Sequence, residues 1–472
     1  MNRYAPVTSS VVEELRSIVG PNWVVFDNQD ALEPFSHDEI PDPHYAHMPE
    51  VVVRPRTAEE IAAIMKLAGR EKVPVTPRGA GSGLSGGAVP IHGGILLSHD
   101  RMDSILEIDR ENMVVVVEPG LITSQINEAL AGTGLFYAGY PMSLESCAIG
   151  GNVAENAGGG KAVKYGVTGR YVLGLQVVTP QGDIVDLGGK LIKDVTGYNM
   201  VALMVGSEGT LGVFTKIILR LTPEPKYAAD LLVTFPDTTT AIATVPRLMA
   251  ETGITPTAVE FIDGGSFAQA CRYLNESLPY EGAGAVLILS VDGPSEAPVV
   301  EAYEAIGSLC KQQGALEVFV ADTHANSERI WNVRRNIAES YAQISPDQAN
   351  EDLVVPPAAI PDLIAGMESI AGRHAVHIPA YGHAGDGNIH TRIVRNPEWS
   401  REEWEHSLPI ILDELYTITA ELGGRISGEH GIGHKRKAHM HRFVSQEYLS
   451  MIRSVKQALD PQGILNPGKI FD

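Results

Sequence analysis

Apolar and polar positions near the start of the chain follow two different periods. Residues 51–54 and 73–77 are short apolar runs of the kind that form buried strands. Between them, residues 57–60 match a helix-capping box, and the apolar residues that follow are spaced by three and four: Ile61, Ile64, Met65 and Ala68. The pattern predicts a strand, an amphipathic helix and a second strand.

Further strand-like runs follow a glycine-dense stretch at residues 78–87. They cover residues 95–98, 113–118 and 216–221. Two prolines come next, within residues 222–226, and because proline cannot donate to a strand ladder we expect a domain boundary there. Everything before this boundary is predicted to form one α+β nucleotide-binding unit.

The second half of the chain has a mixed pattern of its own. Strand-like runs at residues 231–235 and 285–291 alternate with helical stretches. Apolar residues spaced by three and four predict a long helix over residues 404–422, which Gly423 and Gly424 can end in a left-handed cap. We therefore expect a second α+β domain.

Composition limits the functions that this chain can serve. Its formal net charge of −22 disfavours binding to nucleic acid or to an anionic membrane, because like charges repel. No run reaches the roughly 18 apolar residues of a membrane span, and the first ten residues lack the features of a secretory signal. We expect a soluble, cytoplasmic protein. Three distant cysteines fit neither a disulfide framework nor a thiolate cluster, so a bound metal must use nitrogen and oxygen ligands.

Three glycine-rich segments lie in the first part of the chain, at residues 78–87, 147–160 and 206–212. Each exposes backbone N–H groups that no side chain obstructs, as a diphosphate requires. The first segment fits neither the Rossmann nor the P-loop pattern. An ordinary turn would explain one such segment, but three on the same unit favour a nucleotide cofactor.

These segments resemble those of the FAD-linked oxidase family, whose fold is shared with vanillyl-alcohol oxidase and p-cresol methylhydroxylase (PCMH). The specific branch comprises glycolate oxidase flavin subunits, D-lactate dehydrogenases and D-2-hydroxyglutarate dehydrogenases, and the resemblance covers about residues 45–472. It implies an α+β fold with a two-part PCMH-type FAD-binding domain at residues 1–222 and an α+β substrate or cap domain at residues 223–425. Residues 426–472 are expected to return to the flavin domain and complete the active site.

The resemblance also implies which residues bind FAD. Some relatives tether the flavin through a histidine in or near the first loop, but residues 78–89 contain none, so a non-covalent FAD is expected. The resemblance places the FAD contacts in residues 78–83, 141–156 and 208–213. The residues implied to contact FAD are Arg78, Gly79, Ala80, Gly81, Ser82, Gly83, Pro141, Cys147, Gly150, Gly151, Asn152, Asn156, Glu208, Gly209 and Val213.

Two histidines flank a glycine-rich turn in the second half of the chain. On one straight strand, the seven-residue spacing of His383 and His390 would point them to opposite faces. A turn at residues 385–388 between two short strands removes this conflict and lets both imidazoles reach one metal ion. Standing alone, the segment would be better explained as a polar hairpin.

A second segment adds a carboxylate and another histidine, Glu429 and His430. Two histidines and a glutamate form a metal shell that leaves positions open for substrate. GHAGDGNxH and SGEHGIG resemble the metal and active-site motifs of the branch. The resemblance implies His383, His390 and Glu429 as metal ligands and His430 as the catalytic base.

Two arginines are candidates for binding the substrate. Arg334 resembles the arginine of the branch's helical WxxR element, which can bind a carboxylate through two hydrogen bonds; an ordinary surface arginine is the alternative. Arg392 stands where many relatives have asparagine, and its charge favours a second anionic group on the substrate. Residues 350–352 also depart from the pattern of the branch.

Together these features predict an enzyme. We expect oxidation of a small D-2-hydroxy acid of the D-lactate, glycolate or D-2-hydroxyglutarate class, with hydride transfer to N5 of FAD beside a divalent metal. The alternative is a flavin-bearing electron-transfer subunit; a non-redox transferase would need a different histidine cluster. Zinc, iron, manganese and cobalt all suit the ligands. The electron acceptor could be an electron-transfer flavoprotein, a quinone, a cytochrome or an iron–sulfur subunit. A homodimer is also compatible with the sequence.

Overall fold

The computed structural model describes residues 3–40 and 42–471. Their contacts divide the chain into two compact units. The first unit comprises the residues up to Gly158, Val167–Pro223 and the residues from Glu429 onwards, and the second comprises Gly159–Gly166 and Glu224–Gly428. The predicted return of the C-terminal segment to the first unit is confirmed. The short stretch Gly159–Gly166 belongs to the second unit, which the sequence pattern did not indicate.

Strands and helices are numbered here in chain order. The strands are β1 (Val24–Phe26), β2 (Val51–Val53), β3 (Val75–Arg78), β4 (Ile95–Ser98), β5 (Ile105–Asp109), β6 (Val114–Val117), β7 (Leu135–Phe136), β8 (Val172–Val178), β9 (Ile184–Gly188), β10 (Val213–Arg220), β11 (Thr222–Pro223), β12 (Tyr227–Phe235), β13 (Ala258–Asp263), β14 (Ala285–Gly293), β15 (Glu317–Ala321), β16 (Gln348–Val354), β17 (Ala380–His383) and β18 (Asn388–Val394). The α-helices are α1 (Ser9–Val19), α2 (Gln29–Leu32), α3 (Ala58–Glu71), α4 (Ser124–Leu130), α5 (Ile149–Glu155), α6 (Ala162–Tyr165), α7 (Met200–Met204), α8 (Thr238–Thr252), α9 (Gly264–Leu274), α10 (Glu296–Gln312), α11 (His324–Arg335), α12 (Ile337–Ala342), α13 (Ile360–His374), α14 (Arg401–Glu421) and α15 (Gln446–Leu459). Among the described helices, none is both long enough and apolar enough to cross a membrane.

The predicted β-α-β start of the first unit is present as β2, α3 and β3. The apolar face of α3 is buried as expected and packs in the core of a four-stranded sheet of order β1-β2-β4-β3. Thr57 caps the helix by accepting from the N–H of Glu60 at 3.2 Å. The second half of the predicted capping box is wrong, because the Glu60 carboxylate accepts from the N–H of Arg56 at 2.6 Å instead.

A second sheet of the first unit has the order β5-β6-β10-β8-β9. The C-terminal segment is tied to the first sheet by a parallel bridge between Val75 and Leu465. The prolines after β10 were expected to end regular pairing. Pro223 instead pairs with Leu135 in the short β11–β7 ladder, as proline can at a sheet edge.

The second unit is built on a seven-stranded sheet of order β15-β12-β14-β13-β17-β18-β16. The predicted long helix is α14, and Gly423 beyond its end has the left-handed φ of 75° that the prediction required. Strands β13, β17, β18 and β16 are consecutive neighbours in this sheet. They bring together side chains that are far apart in sequence.

Candidate active site

The first glycine segment of the first unit follows β3 as a partly buried loop. The backbone N–H groups of residues 79–85 donate to no acceptor among the described residues. Such a row of available donors fits the diphosphate of a nucleotide cofactor. Arg78, at the start of the loop, is 7% exposed and donates to the carbonyl oxygens of His37 and Pro34 at 2.7 and 3.2 Å. Burial lowers the pKa of this guanidinium.

The three glycine segments come close to one another in the first unit. A Cβ atom on Gly79 would lie 3.2 Å from the Cβ of Ala148, so the first and second segments are in contact through small residues. Gly209 in the third segment has a φ of 64°, and a Cβ there would lie 2.8 Å from Cγ of Pro77. A side chain at either position would push the segments apart.

Several side chains that the resemblance implied for FAD are already used within the protein. Asn152 donates to Oγ1 of Thr123 at 2.7 Å, and Asn156 accepts from the N–H of Gly169 at 2.8 Å. Cys147 and Val213 are buried, with exposed fractions of 5% and 1%. The segments therefore offer a cofactor mainly their backbone.

In the second unit, strand pairing sets the two histidines on one face of the sheet. Strands β17 and β18 form the expected hairpin, in which Tyr381 is paired with His390. Because Tyr381 and His383 are two residues apart on one strand, they share a face, and His390 shares it through the cross-strand pair. The seven-residue spacing is thus resolved by the turn, as predicted.

The two imidazoles point their Nε2 atoms at each other, 3.3 Å apart. Behind His383, its Nδ1 lies 2.5 Å from Oε1 of Glu260 on β13. Behind His390, its Nδ1 lies 3.5 Å from Oδ1 of Asp352 on β16. Both carboxylates are fully buried, with exposed fractions of 0%. The hydrogen bond with Glu260 favours a proton on Nδ1 of His383 and leaves Nε2 of that ring as the ligand atom.

This arrangement fits a divalent metal ion. Two lone pairs 3.3 Å apart repel unless a proton or cation lies between them. Two nitrogens bound to one ion at roughly 2.0–2.1 Å with tetrahedral angles would be about 3.4 Å apart, which matches the observed separation. His383 and His390 could therefore hold a metal with little change in position.

Arg334 on α11 completes a chain of charges behind His383. Its Nε donates to Oε2 of Glu260 at 2.7 Å. Burial raises the pKa of Glu260, but His383 and Arg334 lower it more, to about 2. Arg334 is only 4% exposed, so the surface alternative is wrong, and its Nη2 is buried without a hydrogen-bond partner among the described residues. A carboxylate ligand would satisfy that donor.

Arg392 lies two residues beyond His390 on β18, on the same face of the sheet. Its Nη1 donates to Oε1 of Gln348 at 2.6 Å, and its Nε donates to the hydroxyl of Tyr381 at 3.3 Å. Both partners are neutral, and within the described part of the chain no carboxylate pairs with Arg392. Its charge is therefore not balanced by a direct ion pair.

Glu429 and His430 begin the segment that returns to the first unit. There, Nε2 of His430 lies 3.7 Å from Oε1 of Glu429. In the second unit, the residue just before Glu429 is held by Asp352, whose Oδ2 accepts from the N–H of Gly428 at 3.0 Å and from Oγ of Ser427 at 2.7 Å. Asp352 thus lies beside His390 and also holds the chain that leads into Glu429.

Sequence reasoning missed Glu260 and Asp352. Glu260 left a signal in the sequence, since it is a carboxylate within the apolar run AVEFID, whereas Asp352 lies in the polar run QANEDLV and left none. A buried carboxylate is costly unless it is paired, so it indicates a partner of opposite charge. Residues 350–352 had been noted only as a departure from a family pattern, and the cross-strand register that pairs Asp352 with His390 was not available from the sequence.

The chain matches two family models with this organisation. "FAD binding domain" matches residues 49–188, and "FAD linked oxidases, C-terminal domain" matches residues 224–470. The chain therefore belongs to the FAD-linked oxidases. It is an FAD-linked oxidoreductase of the group that contains GlcD, D-lactate dehydrogenase and D-2-hydroxyglutarate dehydrogenase, as the following relatives show.

Glycolate oxidase subunit GlcD of Bacillus subtilis strain 168 is 38% identical, covering 98% of this chain and 97% of that protein. D-lactate dehydrogenase of Anaerostipes hadrus is 36% identical, and the match covers 99% of this chain and 98% of that protein. D-2-hydroxyglutarate dehydrogenase of Stutzerimonas stutzeri strain A1501 is 29% identical, covering 98% and 99%. Three different substrates are named among proteins of similar distance, so the group does not identify the substrate of this chain.

Solved structures of similar fold include p-cresol methylhydroxylase with substrate bound. It has a TM-score of 0.80 at 18% identity and covers 99% of this chain and 98% of that chain. Alkyldihydroxyacetonephosphate synthase has a TM-score of 0.76 at 19% identity, with 98% and 86% covered. At these identities the similarity shows the fold alone, and it confirms the predicted PCMH type.

Proposed function

We propose that this protein oxidises a small D-2-hydroxy acid to the 2-oxo acid, with non-covalent FAD and a divalent metal held by His383, His390 and Glu429. The observation that carries the proposal is the pair of imidazole Nε2 atoms 3.3 Å apart, with a buried carboxylate behind each ring. If the segment were only a polar hairpin, neither buried carboxylate would be expected, because burying a carboxylate costs free energy unless it is paired.

When bound, FAD supplies a hydride acceptor at N5, and the metal supplies positive charge that lowers the pKa of the substrate hydroxyl. Arg334 binds the substrate's C1 carboxylate, for which its buried Nη2 is a suitable donor. The imidazole of His430 takes the hydroxyl proton as the general base. Glu260 holds His383 in the tautomer that leaves Nε2 free for the metal.

Glu429 joins the histidines as the carboxylate ligand. Support comes from the neighbouring residue in the chain, since Gly428 and Ser427 are both bonded to Asp352, the carboxylate that also lies behind His390. Two imidazoles and one carboxylate leave positions at a metal for the substrate's oxygens. The electrons then pass to a separate acceptor.

We further propose that Arg392 binds the end of the substrate that lies away from its C1 carboxylate. It shares a face with His390, and its hydrogen-bond partners are neutral. A guanidinium in this state attracts an anion, and a substrate with a second carboxylate would supply one. We therefore favour a D-2-hydroxy dicarboxylate of the 2-hydroxyglutarate class over lactate or glycolate.

A panel of hydroxy acids tests the proposal. Purified protein under anaerobic conditions is mixed with D- and L-lactate, glycolate, and D- and L-2-hydroxyglutarate, and flavin absorbance is followed. Bleaching by D-acids, fastest with D-2-hydroxyglutarate, is expected. If no acid bleaches the flavin while dithionite does, the protein is an electron-transfer subunit instead. Acid precipitation of the same sample should release all FAD into the supernatant, whereas yellow precipitate would contradict the non-covalent assignment.

A further inference from the structure

Glu208 has a role in the structure that differs from the one implied by its position in the third glycine segment. It is 7% exposed, and its backbone has a left-handed φ of 50°. Its Oε1 accepts from the N–H of Ile432 at 2.8 Å, and its Oε2 accepts from the N–H of Gly433 at 2.6 Å. Both oxygens of the carboxylate are thus used on the backbone just after His430.

Other bonds within the first unit hold the same stretch. The fully buried Arg436 donates through Nη1 to the carbonyl oxygen of Gly431 at 3.1 Å and to that of Leu84 at 3.3 Å. The carbonyl oxygen of Ser85 accepts from the N–H groups of His434 and Lys435 at 2.9 and 3.0 Å. The first glycine loop and the stretch after His430 are therefore joined through the backbone.

Glu155 packs against the same stretch from the second glycine segment. Gly431 has a φ of 84°, and a Cβ on it would clash with Oε2 of Glu155. Burial raises the pKa of Glu155 well above its usual range, and the neighbouring Glu208 raises it further. Burial also raises the pKa of Glu208, but the two amide hydrogen bonds oppose this. The two amide hydrogen bonds thus stabilise negative charge on the Glu208 carboxylate.

We propose that Glu208 is a positioning residue for His430: its carboxylate fixes the N–H groups of Ile432 and Gly433 and so sets the direction of the imidazole. This rests on the proposed function, which gives His430 the part of general base. Two charge-assisted hydrogen bonds to consecutive amides define both the position and the twist of the backbone. A general base must lie within hydrogen-bond reach of its proton, so a small rotation of this backbone slows proton transfer without weakening substrate binding.

Glu208→Gln tests the proposal, because the amide keeps the size of the side chain but can accept from only one of the two N–H groups. The rate of anaerobic flavin reduction and the apparent substrate Kd are measured by stopped flow, per bound FAD, with the acid of the panel that bleaches the wild type fastest. We expect the rate to fall about 10- to 100-fold with Kd unchanged.

Glu50→Gln is the matched control. The Glu50 carboxylate also accepts from two backbone amides in the first unit, those of Val7 and Gly94, each at 3.1 Å. Both bonds end on Oε2, so the amide oxygen of Gln can keep them, and Glu50→Gln, which removes only the charge, should reduce its flavin at the wild-type rate. If Glu208→Gln behaves in the same way, Glu208 is only structural and the inference is overturned. If Glu208→Gln does not retain FAD, Glu208→Asp, which keeps the charge on a shorter side chain, is measured against the same two outcomes.

His430→Ala separates this inference from the proposed function. If His430→Ala reduces flavin as fast as the wild type, the proposed function fails and Glu208 has no base to position. If His430→Ala is slow while Glu208→Gln keeps the wild-type rate, the proposed function survives and only the positioning role is rejected.

Discussion

The first unit leaves the backbone N–H groups of residues 79–85 without acceptors among the described residues, whereas the second unit brings the side chains of His383 and His390 together on paired strands. In the first unit the polar side chains near the loops, such as Asn152 and Glu208, are bonded to the protein itself. In the second unit the polar side chains are arranged behind the histidines, as Glu260 and Asp352 are.

This difference decides how each unit tolerates change. A loop that binds through its backbone depends on the absence of side chains and on a few internal hydrogen bonds. A site built from side chains on strands depends on each ligand and on the carboxylate behind it. Substitutions in residues 79–85 should therefore lower the FAD content, whereas substitutions of His383 or His390 should lower the metal content and leave FAD bound.

The largest expected effect is that of His430→Ala. Removing the proposed base should lower the rate of flavin reduction about 100- to 10,000-fold while FAD and metal contents stay at wild-type levels. Stopped-flow reduction and metal analysis of the same sample measure both. His441→Ala is the control, because His441 is an exposed histidine of the same segment. A wild-type rate in His430→Ala would assign the base elsewhere.

Glu260→Gln tests whether the carboxylate behind His383 contributes to metal binding in the second unit. The amide no longer holds His383 and Arg334 as an anion does, so metal affinity should fall about 10- to 100-fold with FAD retained. Metal titration of chelator-treated protein measures the change. The matched control is Glu414→Gln, since Glu414 also lies between an arginine and a histidine, Arg373 and His374, at the surface. Equal metal affinity in the two variants would contradict the role of Glu260.

Arg392→Asn should change selectivity and leave the chemistry intact. Loss of a charge-assisted hydrogen bond should lower kcat/KM for D-2-hydroxyglutarate about 10- to 100-fold relative to D-lactate. Steady-state kinetics on both acids give the ratio. Arg395→Asn, which removes a guanidinium paired with Asp347 at 2.9 Å, should leave the ratio unchanged. If Arg392→Asn lowers kcat/KM equally for both acids, Arg392 has a structural role and does not determine selectivity.

The smallest effect concerns a buried cation of the first unit. Burial, together with the smaller effect of the neighbouring Lys437, lowers the pKa of Lys469 from 10.5 to about 7. Between these values the unfolded chain binds a proton that the folded chain has released, so stability should rise with pH, by up to about 1.4 kcal/mol per pH unit. Urea unfolding of FAD-free protein between about pH 7 and 9 should show this rise in the wild type and lose it in Lys469→Met. A rise of the same slope in both proteins would rule out Lys469 as its source.

Much of the fold could be predicted from local pattern. The β-α-β start, the long helix ending near Gly423 and the hairpin of His383 and His390 all depend on neighbours in sequence, and all are present. The contacts that complete the site could not be predicted in this way. Glu260 lies more than a hundred residues before His383, and only the register of β13 against β17 brings them together.

For the glycine segments, the sequence predicted the kind of site but not the contacts of the individual side chains. Their position along the chain indicated a nucleotide site, but side-chain roles assigned by resemblance did not anticipate the bonds that the chain makes with itself. Glu208 was assigned to FAD, and its carboxylate is bonded to the amides of Ile432 and Gly433. Residue type at a motif position does not specify whether a side chain or its backbone faces a ligand.

We propose that oxidation requires a metal held by His383 and His390, and parallel measurements of metal content and flavin reduction test this requirement. Wild-type protein and His383→Ala are analysed for metal and FAD and then mixed anaerobically with the acid that reduces the wild type fastest. We expect the fraction of flavin that is reduced quickly to equal the fraction of protein that carries metal. Chelation should abolish it, a divalent metal should restore it in the wild type, and His383→Ala should not respond. Fast, complete reduction of FAD in protein shown to be metal-free would contradict the claim.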